Sequence, residues 1–475
     1  MNKNSIVRQF MVIGFGTIIN VLIGFLTTPV ITRMVAPTQY GQLSMFNTYS
    51  NIFMLVLSLG LDQSFMRFFY REDDIEYKRK LLNTCCFKPV LIIVVVFIAF
   101  LACTVITGNA SDKTIFLSAL FVLNIVMLQI NRFSLLVLRL EKKSTLYSVA
   151  NITHKLSYAL LTVVCLNISN HNDFYVLVMT TIMSTVITTV VAIANSRGIW
   201  NVLKNKYTGN IDYKEIIHYG LPMLLANGIY MFFQAIDKIS LSYFCSYAEV
   251  GVYASAMSLM SMIAIIRTTF NTIWAPASIE NYEKNPEDKA FYQKGNLYIT
   301  IIMFAIGITL MLSKDLIVYL LGEKYRTASE IMPFLLFQPI MYTISETTVV
   351  GVYFMKKSHA QLIISVAACI FNLVGNFILI PIVGAKGAAI STGFSYILFF
   401  TLRTWFSNRY YYIDFSLKKF YFITLLTVIY AFYNTFESFS WISVGLYVIL
   451  VSMICFAYRK AVKELILVGL KRLKK

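Results

Sequence analysis

The sequence predicts an all-α polytopic membrane protein of about fourteen transmembrane helices, arranged as two pseudo-symmetric six-helix lobes plus two C-terminal helices. Three observations carry this. Of the 475 residues, 58% are hydrophobic and only 13% charged, with a mean hydropathy of +0.68; soluble domains carry about 25% charged residues. Apolar runs long enough to cross a hydrocarbon core, about 18 residues or more, recur along the whole chain. Finally, a long helix, a turn with Tyr40-Gly41 and a second helix recur about 210 residues later around Gly251-Val252-Tyr253. Six helices separate the two copies, an even number, so the lobes are expected to be parallel repeats about an axis along the membrane normal.

Taken in order, the runs place helices at roughly 9–32, 43–66, 87–108, 114–138, 145–167, 174–196, 216–245, 250–275, 295–313, 328–354, 360–382, 386–407, 419–437 and 441–458. The first follows a short segment with Lys3 and Arg8 and is too long for the core of a signal peptide, so it reads as a membrane helix. The next five are separated by Arg67 to Lys80, Lys113, Arg139 to Lys143, and a polar stretch at His171. The span 216–245 follows the longest loop, about 20 residues from Arg197 to Lys214, and carries Asp237-Lys238. At 1.5 Å of rise per residue, Asp237 lies roughly 22 Å beyond Pro222, well inside the span. The later runs are bounded by Lys284 to Lys294, Lys314 to Arg326, Lys356-Lys357, Lys386, Arg403 to Lys419, and the basic tail from Arg459. The expected division is residues 1–200, 201–410, and 411–475 with the last two helices and the tail.

Charge orients this layout. Loops and tails on the side of the N-terminus hold 31 of the 41 Lys and Arg, among them Arg403; the other side holds six, Lys314 among them. This asymmetry puts both termini in the cytoplasm. The net charge of +18 is dispersed in small clusters between apolar runs, which speaks against a nucleic-acid surface. The seven cysteines fall mostly within apolar runs and read as packing residues.

Enzyme signatures are missing: no phosphate-binding loop, no His-Glu-x-x-His and no nucleophile elbow. His154, His171, His218 and His359 stand far apart, so neither a metal site nor a cofactor is expected. Asp73-Asp74 reads as a solvated loop. With no loop large enough for a folded domain, any chemistry is expected within or at the surface of the membrane part.

What remains is charge inside helices, which is costly and is kept where it faces a polar cavity or a partner. Asp62, Arg132 and Arg267 lie in the inner third of their spans, Lys155 and Glu346 near the middle, and Asp237 and Lys238 further out. Arg132, Lys155, Lys238 and Arg267 are candidates to line a cavity for an anionic substrate, since Lys and Arg give charge-assisted hydrogen bonds to phosphate. Asp62, Asp237 and Glu346 are candidates to couple movement to H+ or Na+. The plainer readings are that Arg132 and Arg267 snorkel to the headgroups and that Asp237 and Lys238 satisfy each other or pair with a neighbouring helix; for Lys155 and Glu346 snorkelling is harder, and a cavity or an internal ion pair is expected. The amides Asn20, Asn124, Gln129, Asn131, Asn227, Gln234, Asn372 and Asn376 would suit sugar hydroxyls or, individually, interhelical hydrogen bonds.

Three stretches carry a family resemblance. Arg33-Met34-Val35-Ala36-Pro37-Thr38-Gln39-Tyr40-Gly41 resembles an Arg-x-x-x-Pro-x-x-Tyr-Gly turn; Ile236-Asp237-Lys238-Ile239 with Val250-Gly251-Val252-Tyr253 resembles an Asp-Arg/Lys-Ile and Val-Gly-x-Tyr pattern. Asn372 to Asn376, Leu379-Ile380-Pro381 and Gly384-Ala385-Lys386-Gly387-Ala388-Ala389 resemble an Asn-rich helix ending before a Gly-x-x-Gly-Ala-Ala turn. In this order the chain resembles the polysaccharide-transport branch, the Wzx-type flippases, of the multidrug/oligosaccharidyl-lipid/polysaccharide flippase superfamily. The resemblance implies a two-lobed, V-shaped transporter of the bacterial plasma membrane, not an enzyme. It would turn undecaprenyl-pyrophosphate-linked oligosaccharide, such as an O-antigen or capsule unit, from the inner to the outer leaflet by alternating access. Membrane lipids, a glycosyltransferase upstream and a glycan polymerase downstream are the implied partners. A drug or metabolite antiporter of the same superfamily would be expected to have an acid-dominated cavity, and a membrane glycan polymerase or ligase a sizeable outer loop with catalytic Arg or His. Neither feature is present here.

Overall fold

The computed structural model describes residues 3–106, 111–169, 173–201, 207–209 and 211–464. His171, Lys204, Lys206, the end of the 87–108 span and the basic tail from residue 465 lie outside the described residues.

The chain divides into two compact units, one made of Met1–Thr27 and Gln42–Ala235, the other of Thr28–Gly41 and Ile236–Lys475. Helices α1 (Lys3–Met34), α2 (Pro37–Leu57) and α3 (Leu61–Phe68) open the chain. Then come α4 (Ile75–Leu82), which runs through a π-helical turn at Asn83–Phe87 into α5 (Lys88–Ile106), and α6 (Asp112–Leu140), α7 (Ser144–Ile168), α8 (Asp173–Ala194) and the short α9 (Arg197–Trp200). Helix α10 (Tyr213–Phe244) begins in the first unit and ends in the second. The second unit continues with α11 (Tyr247–Met260), α12 (Ala264–Lys284), α13 (Lys289–Leu312), α14 (Lys314–Val318), α15 (Ala328–Leu335), α16 (Phe337–Thr348) and α17 (Val350–Phe354). It closes with α18 (Ser358–Val383), α19 (Ala385–Tyr410), α20 (Leu417–Phe436) and α21 (Trp441–Ala457). Among the described residues, nine helices or continuous helical runs are long and apolar enough to cross a membrane. The fourteen expected spans are compatible with this order, each overlapping one helix or one broken run. The protein is a multi-pass membrane protein.

Three spans expected to be single helices are broken. The 43–66 span divides between α2 and α3 because Leu59 and Gly60 take φ of 53° and 68°, a left-handed conformation that ends a helix. The 250–275 span divides at a 3₁₀ turn, Ser261–Ile263, and the 328–354 span falls into α15, α16 and α17. Outward-facing stripes match a lipid solvent: Leu156, Leu160 and Val164 on α7 are all exposed at intervals of one helical turn. The core of the first unit gathers Leu61, Phe65, Phe69, Leu81, Phe133 and Val137 around the α3 to α5 corner. Near it, Asp74 caps α4 by accepting from the Glu76 amide, and Asp73 pairs with Lys78 at 2.9 Å, which holds its carboxyl below the usual range.

Each unit contains a close helix crossing at glycine. In the first, a Cβ on Gly60 would lie 2.2 Å from the Gly220 carbonyl oxygen. Ser64 Oγ donates to the Ile216 carbonyl oxygen at 2.7 Å, and Arg71 grips Glu215 through both Nη atoms at 2.7 and 2.8 Å. In the second, the start of α2 crosses the start of α11. A Cβ on Gly41 would lie 1.7 Å from the Tyr247 carbonyl oxygen, and one on Gly251 would lie 2.0 Å from that of Pro37. Thr32 Oγ1 accepts from the Gly322 amide, and Tyr325 donates to the Val35 carbonyl oxygen, fixing the α1–α2 turn to the same unit.

Candidate functional site

In the first unit, the α2–α3 break turns Asp62 inward, leaving it 1% exposed. Arg132, on α6, donates to Asp62 Oδ2 from Nε at 2.9 Å and again from Nη2, and Gln63 Nε2 donates to the same oxygen at 2.9 Å. The Arg132 side chain remains 39% exposed, so the carboxylate fixes one edge of a guanidinium whose other edge is accessible. Arg132 is thus ion-paired with Asp62. Lys155 sits on α7 in the stripe of Ser148 and Thr162, spaced by seven residues and both buried, away from the lipid-facing Leu156–Leu160 stripe. Lys155 is nevertheless exposed and has no carboxylate partner among the described residues. Its neighbour His154 approaches Thr185 Oγ1 at 3.5 Å.

In the second unit, Asp237 does not pair with Lys238. Consecutive residues of a helix point about 100° apart, so adjacency in sequence gives no ion pair. Asp237 is 5% exposed and takes three neutral donors from three helices. Tyr253 of α11 and Thr392 of α19 each donate a hydroxyl to Oδ2 at 2.6 Å, and Asn376 of α18 donates its amide to Oδ1 at 2.9 Å. Asn376 also donates to Asn372 Oδ1, and Asn372 to Thr392 Oγ1. Asn372 and Asn376 thus serve interhelical bonds. The Asn376 Oδ1 atom is buried and has no hydrogen-bond partner among the described residues. Two carboxylate oxygens, two amide oxygens and two hydroxyls make an oxygen-rich cluster, the donor set suited to a proton or a hard cation. Lys238 is half-buried and forms no ion pair among the described residues.

Glu346 finds its partner in a residue that the loop count misassigned. Arg403 does not lie in a cytoplasmic loop but inside α19, 1% exposed. Its Nη1 donates to Glu346 Oε1 at 2.9 Å and Ser345 Oγ at 2.6 Å, and Nη2 donates to Tyr353 Oη at 3.0 Å. Arg403 therefore joins Arg132, Lys155, Lys238 and Arg267, the four cations that depth along the sequence placed inside spans. The signal was available in the periodicity: Thr392, Tyr396, Phe399, Arg403 and Ser407 recur every three or four residues and are all buried. Lys314, counted as a loop charge, is likewise 1% exposed and donates to the Glu437 carbonyl oxygen at 2.9 Å. Burial lowers its pKa, opposed by the adjacent Asp315.

Arg267, half-buried on α12, has no carboxylate partner among the described residues, and lies over the Tyr342 ring at 4.8 Å. Tyr342 stacks in turn on Phe399 at 5.8 Å, and the Arg403 guanidinium sits 5.4 and 5.2 Å from those two rings. The buried Arg403 and Phe399 thus buttress the ring that carries the accessible Arg267. The chain gathers its candidates in two sets, Asp62, Arg132 and Lys155 in one unit and Asp237, Lys238, Arg267 and Glu346 in the other.

Comparison with known proteins places this arrangement in context. Residues 6–282 match the family described as polysaccharide biosynthesis protein, more than half of the chain. The uncharacterized membrane protein MJ1068 of Methanocaldococcus jannaschii is 25% identical over 219 residues, 45% of this chain and 43% of that protein, so the match spans less than half of that relative. The Lsg locus putative protein 1 of Haemophilus influenzae is 22% identical over 326 residues, 65% of this chain and 75% of that protein. Among solved structures, the lipid II flippase MurJ in an inward closed conformation superposes with a TM-score of 0.68 at 15% identity, covering 98% of this chain and 100% of that one. An inward-facing multidrug resistance MATE family transporter of the MOP superfamily gives 0.55 at 14% identity, covering 83% and 94%. Such likeness establishes the fold. The chain therefore belongs to the polysaccharide biosynthesis protein family and has the fold of the MOP flippase superfamily.

Proposed function

We propose that this protein is a Wzx-type flippase. It carries undecaprenyl-pyrophosphate-linked oligosaccharide units of a surface polysaccharide, such as O-antigen or capsule, from the inner to the outer leaflet of the bacterial plasma membrane. Both termini are cytoplasmic, movement is by alternating access coupled to H+ or Na+, and a glycosyltransferase and a glycan polymerase act before and after it. The observation that carries the reading is a set of intramembrane cations, Lys155, Lys238 and Arg267, with no carboxylate partner among the described residues. A charge kept unpaired at that depth needs an occasional counter-ion. A lipid-borne pyrophosphate supplies one, and charge-assisted bonds from Lys and Arg hold it. Arg132 lends an accessible guanidinium edge fixed by Asp62, and the Asp237 cluster is the coupling site. Membership of a polysaccharide biosynthesis family supports a glycan-bearing substrate.

The test is complementation of a flippase-deleted strain that carries the matching glycan pathway. The intact chain restores surface polysaccharide, whereas Lys155→Ala and Arg267→Ala each reduce it about tenfold or more, as expected for losing a charge-assisted bond of about 1.5–3 kcal/mol. Protein level in the membrane stays unchanged. Accumulation of lipid-linked substrate on the cytoplasmic side in the presence of the intact chain refutes the flippase reading for that substrate.

A further inference from the structure

The crossing of α2 and α11 has an internal symmetry. Gly41 faces the Tyr247 carbonyl and the Gly251 amide, at 1.7 and 2.9 Å from an added Cβ; Gly251 faces the Pro37 carbonyl and the Gly41 amide, at 2.0 and 3.1 Å. Pro37 and Gly41 relate to Tyr247 and Gly251 by one shift of 210 residues. Each copy of the repeated turn therefore closes on the other, main chain against main chain. This end of the helices lies away from the N-terminus, on the side poor in basic residues.

Helix α11 is held from its other side as well. Gly251 and Tyr253 are two residues apart, about 200° around the helix. While Gly251 meets α2, Tyr253 reaches the opposite way and donates to Asp237 of α10 at 2.6 Å. Glu249 also accepts from the Ala385 amide at 3.1 Å, tying the start of α11 to the start of α19. The carboxylate, three neutral donors and the glycine crossing thus form one continuous assembly in the second unit.

We propose that Tyr253 is a positioning residue linking the state of Asp237 to the α2–α11 crossing. This inference rests on the reading of Asp237 as the coupling site. While Asp237 is an unneutralised carboxylate, its charge-assisted bond to the Tyr253 phenol keeps α11 docked against α10 and α19 and presents Gly251 to α2. A proton or cation at Asp237 removes the negative charge and reduces the bond to ordinary neutral strength, about half. Helix α11 then loosens, and the crossing opens together with the Thr32–Gly322 and Val35–Tyr325 bonds. The glycines make the closed crossing possible; Tyr253 makes it responsive.

The experiment measures the distance between spin labels at Thr38 and Ala248, the pair related by the same repeat, by pulsed electron paramagnetic resonance. It uses the full chain in lipid nanodiscs, with its native cysteines replaced. Gly41→Ala and Gly251→Ala shift the distribution to longer distances, because neither Cβ fits beside the opposing carbonyl. Tyr253→Phe, which deletes one hydroxyl, and Asp237→Asn, which deletes one charge, shift it the same way, and the double variant adds nothing further. Thermal unfolding of each variant separates opening from misfolding. A parental distribution in Tyr253→Phe overturns the link. Transport that responds to H+ or Na+ despite that result leaves the coupling reading intact. Long distances in Tyr253→Phe and Asp237→Asn, with parental transport indifferent to either ion, sink the coupling reading while the tether stands.

Discussion

Replacing Arg403 with alanine destabilises the protein by about 3–5 kcal/mol, the cost of removing one partner from a buried ion pair and leaving the other charge unmatched. Glu346 then has no cation, and Ser345 and Tyr353 each lose the donor that joins α16, α17 and α19. Arg403→Lys recovers only part of the loss: an ammonium is a point charge, whereas the planar guanidinium reaches three acceptors from one position. The discriminating variant is Arg403→Met combined with Glu346→Met, which deletes both charges and fills the space with apolar atoms. It recovers most of the parental stability, because an apolar pair of similar volume is often neutral or better than a buried salt bridge. Thermal unfolding of the detergent-solubilised protein, followed by intrinsic fluorescence, reads all three. Equal melting of Arg403→Ala and parent overturns the assignment of this pair as a structural brace. Loss of the brace also releases the Tyr342 ring under Arg267, so Arg403→Ala lowers transport beyond what reduced protein level explains.

Asp237→Asn has the opposite profile, a folded protein that does not couple. Asparagine matches aspartate in shape, and the hydroxyls of Tyr253 and Thr392 can turn from donating to accepting when an amide nitrogen replaces Oδ2. No buried polar group is stranded, so stability changes by about 1 kcal/mol or less. Transport falls by about tenfold or more, since the amide takes up neither a proton nor a cation and a shift of about 1.4 kcal/mol already gives tenfold. Reconstituted vesicles loaded with lipid-linked oligosaccharide and subjected to sodium or pH gradients give the measurement. Asp237→Asn transporting at the parental rate with the parental ion response removes Asp237 from the coupling step.

The membrane character and helix order were legible because each span needs a long apolar run, which local composition reports directly. Breaks were not: the one between α2 and α3 comes from left-handed backbone at Leu59 and Gly60 inside a run that stays apolar, while those at Ser261–Ile263, Leu336 and Val349 keep right-handed backbone and interrupt equally apolar runs. Among the candidate residues, Asp237 was legible as a buried acid, but its partners were not. They come from α11, α18 and α19, helices separated in sequence by up to 155 residues, and no local pattern couples them. The Asp237-Lys238 pair shows how adjacency misleads on a helix, where neighbours in sequence diverge. Arg403 shows that depth counted from a run's end is a weaker guide than the face on which a residue falls.

The turn between α1 and α2 also sets a problem of timing. Residues 28–41 belong to the second unit, yet their bond partners Gly322 and Tyr325 lie 290 residues further along. At ordinary rates of synthesis, about 5–20 residues per second, the turn waits roughly 15–60 s for them to emerge. Until then α1 is a membrane helix with its end undocked, and a nascent chain halted anywhere before residue 322 cannot complete the second unit.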